Sequence, residues 1–177
     1  MKPLLLILPG WGGTKKTWQA FSEKASGFFD VQVLELPCFG DEPCPSTVWG
    51  IAEYAEFVKS KIQKISGKEL IILGHSFGGQ VAVSLVAEHE NVCRKLILSG
   101  AAIIRKKHSW KNNVYKLLAV TGNFIFSMPI LWRVKSQARS VLYKAADSPD
   151  YLKTSGIERE IFKKVIREDL YQKLQNI

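Results

Sequence analysis

An apolar tetrapeptide at residues 70–73 runs directly into a serine flanked by glycines. Its sequence, Leu-Ile-Ile-Leu, is typical of a short strand that is buried on both faces of a parallel sheet. Gly74, Ser76 and Gly78 follow at once, and residues 81–87 have the composition of a helix. A Gly-x-Ser-x-Gly motif between a strand and a helix raises the serine hydroxyl above the sheet edge. The stretch therefore predicts a strand, a tight turn and a helix, with Ser76 as the candidate nucleophile.

The motif by itself is weak, because chance produces it in roughly one chain in twenty of this length at ordinary residue frequencies. The alternative is a plain glycine-rich turn, of the kind that many parallel-sheet proteins carry. The apolar strand before the motif and the small-residue helix after it favour the nucleophile. That helix also directs its positive N-terminal end to the place where an oxyanion would form.

A second glycine-rich loop follows the first predicted strand, Leu4–Leu8. Gly10 and Gly12 allow the backbone of this loop to approach a ligand closely, so we expect both to contact substrate. Together with a serine elbow, such a loop supplies one donor of an oxyanion hole. The expected donors are the backbone N–H of Trp11 and the backbone N–H of Phe77, the residue after the nucleophile.

Strand and helix alternate up to residue 100 and stop alternating afterwards. Two further strands are predicted at residues 31–36 and 96–98, and a helix with the apolar positions Trp18, Phe21, Ala25 and Phe28 follows the first loop. The pattern predicts an α/β fold with a four-stranded parallel sheet and flanking helices. Residues 1–100 would form the N-terminal half of this core, with 96–98 as an apolar edge strand. Residues 101–177 would form an all-helical lid.

The net charge of +9 is confined to the predicted lid. Residues 1–100 carry 10 basic and 10 acidic side chains, whereas residues 101–177 carry 15 basic and 6 acidic ones. The excess fits a solvated helical surface, an acidic partner or an anionic membrane surface. Residues 117–132 contain no charge, but they are too few and too interrupted for a membrane span. A helix pair folded over the sheet is favoured for them over an interfacial helix bound to lipid, so membrane association is not the expected behaviour. No nucleic-acid-binding motif accompanies the charge, so nucleic acid is not expected as a partner.

Three cysteines, Cys38, Cys44 and Cys93, lack the spacing of a zinc site, and no metal is expected. Cys38 and Cys44 share one loop and could pair, but reduced thiols in a cytoplasmic protein are the favoured interpretation. The five apolar residues of the first strand are too few for a signal peptide. The sequence thus predicts a cytoplasmic protein.

With these features in place, the sequence resembles the α/β-hydrolase superfamily. The residues that carry the resemblance are Leu4–Gly13, Leu36-Pro37-x-Phe39-Gly40 and Gly74–Gly79, in the order and at the spacing of that family. The Pro-Gly-Trp-Gly-Gly loop is most similar to small-ester hydrolases, such as those acting on pimeloyl-acyl-carrier-protein methyl ester and on meta-cleavage products. Cys38 stands where relatives usually have glycine.

The resemblance implies a serine hydrolase for a small ester, thioester or amide, with a Ser-acid-His triad and no cofactor. It places the acid and the histidine after two further strands, for which this chain has no positions before Ile177. The isolated chain is therefore expected to be nearly inactive without a complementing C-terminal segment. Of the three histidines, only His108 is expected near the site. An exposed position in the linker is nevertheless the favoured interpretation of His108, over a role as the catalytic base. The alternative function is an inactive binding protein whose basic lid docks an acidic partner or a membrane surface.

Overall fold

A four-stranded parallel sheet with helices on both faces forms the centre of the computed structural model, which describes residues 2–63, 69–104 and 154–177. The strands are β1 (Leu4–Leu8), β2 (Asp30–Val33), β3 (Leu70–His75) and β4 (Lys95–Ser99); the helices are α1 (Lys15–Ala25), α2 (Ile51–Ile62), α3 (Phe77–Glu88) and α4 (Gly156–Val165), and a 3₁₀ helix spans Tyr171–Asn176. The strand order is β2-β1-β3-β4, and all pairs are parallel. The predicted fold class is confirmed.

The apolar run of β1 places this strand in the middle of two hydrophobic layers. Leu6 and Leu8 face a core that also contains buried side chains of α2, α3 and α4. Leu5 and Ile7 face the opposite layer, where Trp18 of α1 packs. All five residues of β1 are at most 2% exposed, because successive side chains of a strand point to opposite faces and both faces are covered.

The register of the sheet brings the two predicted site loops to one edge. Leu8, the last residue of β1, lies opposite Gly74, and His75, the last residue of β3, lies opposite Ser99. Since neighbouring parallel strands point the same way, the loop after β1 and Ser76 both leave the sheet at its carboxyl edge. Ligands of open α/β sheets bind at this edge.

Helix α4 packs with the sheet although more than fifty residues separate it from β4. The described residues from 155 onward belong to the same compact unit as the described residues before 105. Ile161 and Val165 of α4 are buried in the core of the first unit. The Glu168 carboxylate accepts a hydrogen bond from the N–H of Ile51, the first residue of α2, at 3.2 Å. The last part of the predicted lid therefore packs against the core.

Several predictions about the lid fall in the segment 105–153, which lies outside the described residues. They include the role of His108 and the apolar stretch 117–132. Among the residues that are described, no helix combines the length and the apolar character needed to cross a membrane.

Two elements near the start of the chain are shorter than the sequence predicts. Helix α1 ends at Ala25, so Phe28 lies beyond it and is 75% exposed, while Phe21 is 43% exposed. Strand β2 ends at Val33 rather than at residue 36. One more backbone bond, from the Leu34 N–H to the Ile7 carbonyl at 3.0 Å, joins the chain to β1 beyond this point.

Glu35 is a buried carboxylate, 5% exposed, that connects three segments of the chain. It accepts hydrogen bonds from the N–H of Lys15, the first residue of α1, at 2.8 Å, and from the N–H of Asp41 at 3.1 Å. These backbone donors, with the Lys15 charge, lower the pKa of Glu35 despite the opposing effect of burial. Gly40 is required beside it, because a Cβ there would lie 2.2 Å from the carboxyl carbon.

Cys38 and Cys44 form a disulfide, so the prediction of reduced thiols is wrong for this pair. The prediction rested on the redox state of the cytoplasm, whereas the turn of the loop brings the two Cα atoms within 4.1 Å. Cys38 also has φ +77°, a conformation that costs a non-glycine residue about 1 kcal/mol or more. Its left-handed backbone is consistent with a position that glycine usually fills. Cys93 is a free cysteine.

Strand β4 is the edge of the described sheet, as the sequence predicts. Ile97 and Leu98 are 44% and 39% exposed, although the central strands are fully covered. The carboxyl edge of β4 remains linked to the core, because buried Gln80 of α3 donates from Nε2 to the Ala102 carbonyl at 2.8 Å.

Replacing Glu35 should make the stability of the protein less dependent on pH in the acid range. A lowered pKa stabilises the fold above the value of the unfolded chain, about 4.3, and this contribution is lost as pH falls through the folded value. Glu35→Gln should cost about 2 kcal/mol in the free energy of unfolding at pH 7, and less below pH 4, by urea titration. Exposed Glu90→Gln is the control and should change it by less than about 0.5 kcal/mol. An equal loss at pH 7 and pH 3 would contradict this role.

The strained backbone at residue 38 can be measured apart from the disulfide. Cys44→Ser should destabilise the fold by about 2 kcal/mol, the entropy expected for closing so short a loop. In that background, Cys38→Gly should be about 1 kcal/mol more stable than Cys38→Ala, because only glycine adopts φ +77° without strain. Thermal unfolding of the three variants makes the comparison. A glycine variant less stable than the alanine variant would show that the loop gives up this conformation once the disulfide is gone.

Candidate active site

Ser76 occupies a strained backbone position at the junction of β3 and α3. Its φ and ψ are +49° and −113°, outside the regions that non-glycine residues ordinarily adopt. The strain is held by hydrogen bonds on both sides: the Ser76 N–H donates to the Ser99 carbonyl at 3.0 Å, and the Ser76 carbonyl accepts from Gly79 and Gln80 at 3.1 and 3.2 Å. The observed conformation is that of a strand-to-helix elbow.

The glycines around Ser76 are required by close backbone approach. A Cβ at Gly78 would lie 2.1 Å from the carbonyl oxygen of Leu8, and one at Gly74 would lie 2.6 Å from the Cα of Gly79. Neither contact involves a flexible side chain that could move away. The start of α3 therefore packs directly on the end of β1. This contact holds Ser76 beside the loop that follows β1.

The loop after β1 lies against Ser76. A Cβ placed on Gly10 would lie 3.3 Å from the Cβ of Ser76 and 2.9 Å from Nδ1 of His75. The loop turns through a hydrogen bond from the Gly13 N–H to the Gly10 carbonyl at 2.9 Å, with Gly12 at φ +70°. The structure thus brings Gly10 beside Ser76, whereas a Cβ on Gly12 would meet no atom within 4 Å.

Of the two predicted oxyanion donors, Trp11 follows Gly10 in the loop after β1, and Phe77 follows Ser76 at the start of α3. Among the described residues, no hydrogen-bond acceptor is found for the backbone N–H of Trp11 or for that of Phe77. For Phe77 this follows from its place as the first residue of α3, where a helix has no carbonyl four residues earlier to bond. The positive end of the helix dipole reinforces that amide as an anion donor.

The Trp11 side chain is the centre of an aromatic cluster. Its ring lies 4.9 Å from Phe39, 5.1 Å from Phe77 and 4.9 Å from Phe162, each in an edge-to-face arrangement. Tyr54 extends the cluster by contacting Phe77 at 5.0 Å, and its hydroxyl donates to the Pro37 carbonyl at 3.1 Å. These rings give the site an apolar wall.

One carboxylate reaches this cluster from a distant part of the chain. Glu158 lies in the first turn of α4, the helix whose Phe162 contacts the Trp11 ring. Burial raises the pKa of Glu158. Burial and the nearby Glu158 charge also raise the pKa of Tyr54. Neither Glu158 nor Phe162 belongs to a sequence motif, and nothing in the sequence indicates that their helix contacts Trp11.

Neither described histidine is arranged as a base for Ser76. The ring of His75 lies 5.8 Å from that of Trp18, and His89, at the far end of α3, bonds Glu56 at 2.7 Å.

Glu56, Glu88 and His89 bring three potential metal ligands within 4.8 Å of one another. Both carboxylates already have a lysine partner, however, since Glu88 pairs with Lys173 and Glu56 pairs with Lys59.

Comparison with known proteins places this arrangement in a family. The profile of the family described as "alpha/beta hydrolase fold" matches residues 3–125. The chain is 27% identical over 119 residues to a pimeloyl-[acyl-carrier protein] methyl ester esterase of Aeromonas hydrophila, covering 66% of this chain and 45% of the relative. It is 33% identical over 97 residues to the Proteus mirabilis esterase of that name, covering 54% and 35%.

A solved structure shows the same fold at lower identity. An esterase from Exiguobacterium antarcticum superposes with a TM-score of 0.69 at 19% identity, over 99% of this chain and 70% of that one. The chain spans less than half the length of the curated relatives above. The matched residues include β1, the loop after it and the Ser76 elbow, and the chain belongs to the alpha/beta hydrolase fold family.

Proposed function

We propose that this chain carries the nucleophile and the oxyanion hole of a serine hydrolase that acts on a small ester, thioester or amide. The observation that carries the proposal is the strained backbone of Ser76, at φ +49°, directly beside the glycine loop of Gly10. Strain of this kind is retained where it positions a reacting group. The esterase relatives support the same reaction class.

In this mechanism the Ser76 Oγ attacks the carbonyl carbon of the substrate. The Trp11 and Phe77 N–H groups donate hydrogen bonds to the carbonyl oxygen and stabilise the negative charge that develops on it. A general base takes the serine proton and then gives it to the departing alcohol, thiol or amine, which leaves an acyl-enzyme. Water attacks the acyl-enzyme with the help of the same base, which releases the acid and restores Ser76.

The proposed base and acid come from a complementing segment outside this chain. His75 packs beside Trp18 and His89 bonds Glu56, so neither described histidine supports a role as the base. The half-exposed Ile97 and Leu98 of β4 leave room for an additional strand on that edge. The greater length of the esterase relatives is consistent with such a segment.

The aromatic cluster supports a substrate with an apolar acyl group. Trp11, Phe39, Phe77 and Phe162 form a continuous wall beside the oxyanion loop. Small-molecule sites are lined mainly by apolar and aromatic side chains, with few polar groups to orient the ligand. The relatives named for methyl ester hydrolysis fit a substrate of this class.

A fluorophosphonate probe should label Ser76 once the complementing segment is present. The probe reports an activated serine because it forms a covalent bond with the attacking oxygen. We expect labelling in the completed protein, none in Ser76→Ala, and a rate lower by a factor on the order of 10³ in the chain alone. Mass spectrometry locates the labelled peptide, and Ser84→Ala, on the same helix, is the control. A folded, completed protein that stays unlabelled would favour the inactive binding protein instead.

Adding one methyl group to the oxyanion loop should slow catalysis without unfolding the protein. In Gly10→Ala the new Cβ would crowd the Ser76 Cβ at 3.3 Å and the exposed ring of His75, which can turn away. Displacing a nucleophile by a fraction of an ångström should lower the kcat of the completed protein about 10- to 100-fold. Gly27→Ala, where a Cβ meets nothing closer than 3.9 Å, is the matched control. An unchanged kcat at an unchanged Tm would mean that this loop does not border the reacting atoms.

A further inference from the structure

A disulfide closes the loop that carries Phe39 to the aromatic cluster of the site. Cys38 and Cys44 are bonded to each other, and Phe39, the residue after Cys38, is buried with 4% of its surface exposed. The Phe39 ring lies 4.9 Å from the Trp11 ring and 6.3 Å from that of Phe77. The covalent bond is therefore one residue away from a ring that packs on both of the residues proposed to bind the oxyanion.

The two bonded cysteines differ in their access to solvent. Cys44 is exposed, whereas Cys38 is half-buried and packs against the main hydrophobic cluster. Disulfides that solvent can reach are reduced more readily than those enclosed in a core, and they are the ones that serve regulation. A thiol in solution can thus approach the bond from the side of Cys44 while the sheet stays folded.

The disulfide restrains Cys38 in a backbone conformation that a cysteine rarely adopts. Its φ of +77° lies in the left-handed region, where a Cβ is unfavourable. Opening the bond removes the covalent restraint, so conformations with negative φ become populated at this residue. Because the backbone of Cys38 sets the direction in which the chain enters Phe39, the Phe39 ring then no longer keeps a single position against Trp11.

Contacts on either side of the Phe39 turn do not depend on the disulfide. The Tyr54 hydroxyl donates a hydrogen bond to the Pro37 carbonyl at 3.1 Å, before the turn. The Asp41 N–H donates to the Glu35 carboxylate at 3.1 Å, after it. Since both anchors remain when the bond opens, we expect a local change of the turn and not unfolding of the protein.

We propose that the Cys38–Cys44 disulfide is a redox switch of the active site, which keeps the Phe39 ring packed on Trp11 when closed and releases it when reduced by a dithiol. The catalytic effect of the switch rests on the proposed hydrolase function, whereas the movement of the turn does not.

Reduction of the disulfide proceeds by two thiol exchanges. A thiolate of the dithiol attacks Sγ of exposed Cys44, the S–S bond breaks, and Cys38 leaves as a thiolate that takes up a proton. The second thiolate of the reductant then attacks its own sulfur in the mixed disulfide, and Cys44 leaves and is protonated. The two electrons and two protons gained by the cysteines come from the dithiol, which ends as a disulfide.

Alkylation and selective ¹⁵N-tryptophan labelling test the switch itself. The chain contains three cysteines, so iodoacetamide in denaturant should modify only Cys93 in the oxidised chain and all three after treatment with dithiothreitol. In the folded chain, reduction should shift the indole signal of Trp11, which Trp11→Phe assigns, and reoxidation should restore it. Cys93→Ser keeps the disulfide and, as the control, should respond in the same way. Three modified cysteines in the oxidised chain, or a Trp11 signal that reduction leaves in place, would overturn the proposal.

Fluorophosphonate labelling of the completed protein measures the consequence for Ser76. Reduction should slow the labelling about fivefold, which corresponds to the cost of one residue in the left-handed region. Cys38→Gly/Cys44→Ser should label at the rate of the oxidised protein with or without dithiothreitol, because glycine adopts φ +77° without the bond. Cys38→Ala/Cys44→Ser should label at the reduced rate under both conditions.

The outcomes separate the switch from the hydrolase proposal. A labelling rate that is equal in the oxidised and the reduced protein would overturn the catalytic role of the switch. Absence of labelling in the oxidised, completed protein would instead refute the hydrolase proposal, and the alkylation pattern and the Trp11 signal would then decide the switch alone.

Discussion

The approach of the start of α3 to the end of β1 determines the geometry of the site. The Leu8 carbonyl lies so close to Gly78 that no side chain fits between them. This contact places the loop of Gly10 beside Ser76, and it requires the backbone to turn sharply between β3 and α3. Ser76, which lies at this turn, has φ +49° and ψ −113°. The hydrogen bond from Ser76 to Ser99 extends the constraint to the neighbouring strand.

Much of this geometry could be predicted from local sequence. The apolar runs of β1 and β3 indicate a buried parallel sheet, and glycines at fixed spacing around Ser76 indicate close backbone contact. Parallel strands then bring two loops to one edge without any knowledge of side-chain packing. The family assignment follows from the same short segments, which lie within the matched residues 3–125.

The rest depends on contacts that no local pattern encodes. Phe162 contacts Trp11 across about 150 residues of sequence, and nothing in the sequence distinguishes its helix from an amphipathic helix on the surface. The exposure of Phe28 escaped prediction because helical spacing continues past the point where α1 ends. The disulfide of Cys38 and Cys44 was not the favoured prediction because the cytoplasm keeps thiols reduced, whereas the fold of the loop brings these two cysteines together.

The exposed edge at β4 has a consequence for the self-association of this protein. Ile97 and Leu98 present apolar surface beside a strand whose outer backbone groups have no strand partner among the described residues. Two such edges satisfy each other, so self-association should compete with the monomer as concentration rises. Lys95, at the start of β4, is a charged residue of the type that opposes pairing between edge strands. The surface that favours self-association is therefore on β4, whereas the glycine loop follows β1, on the other side of β3.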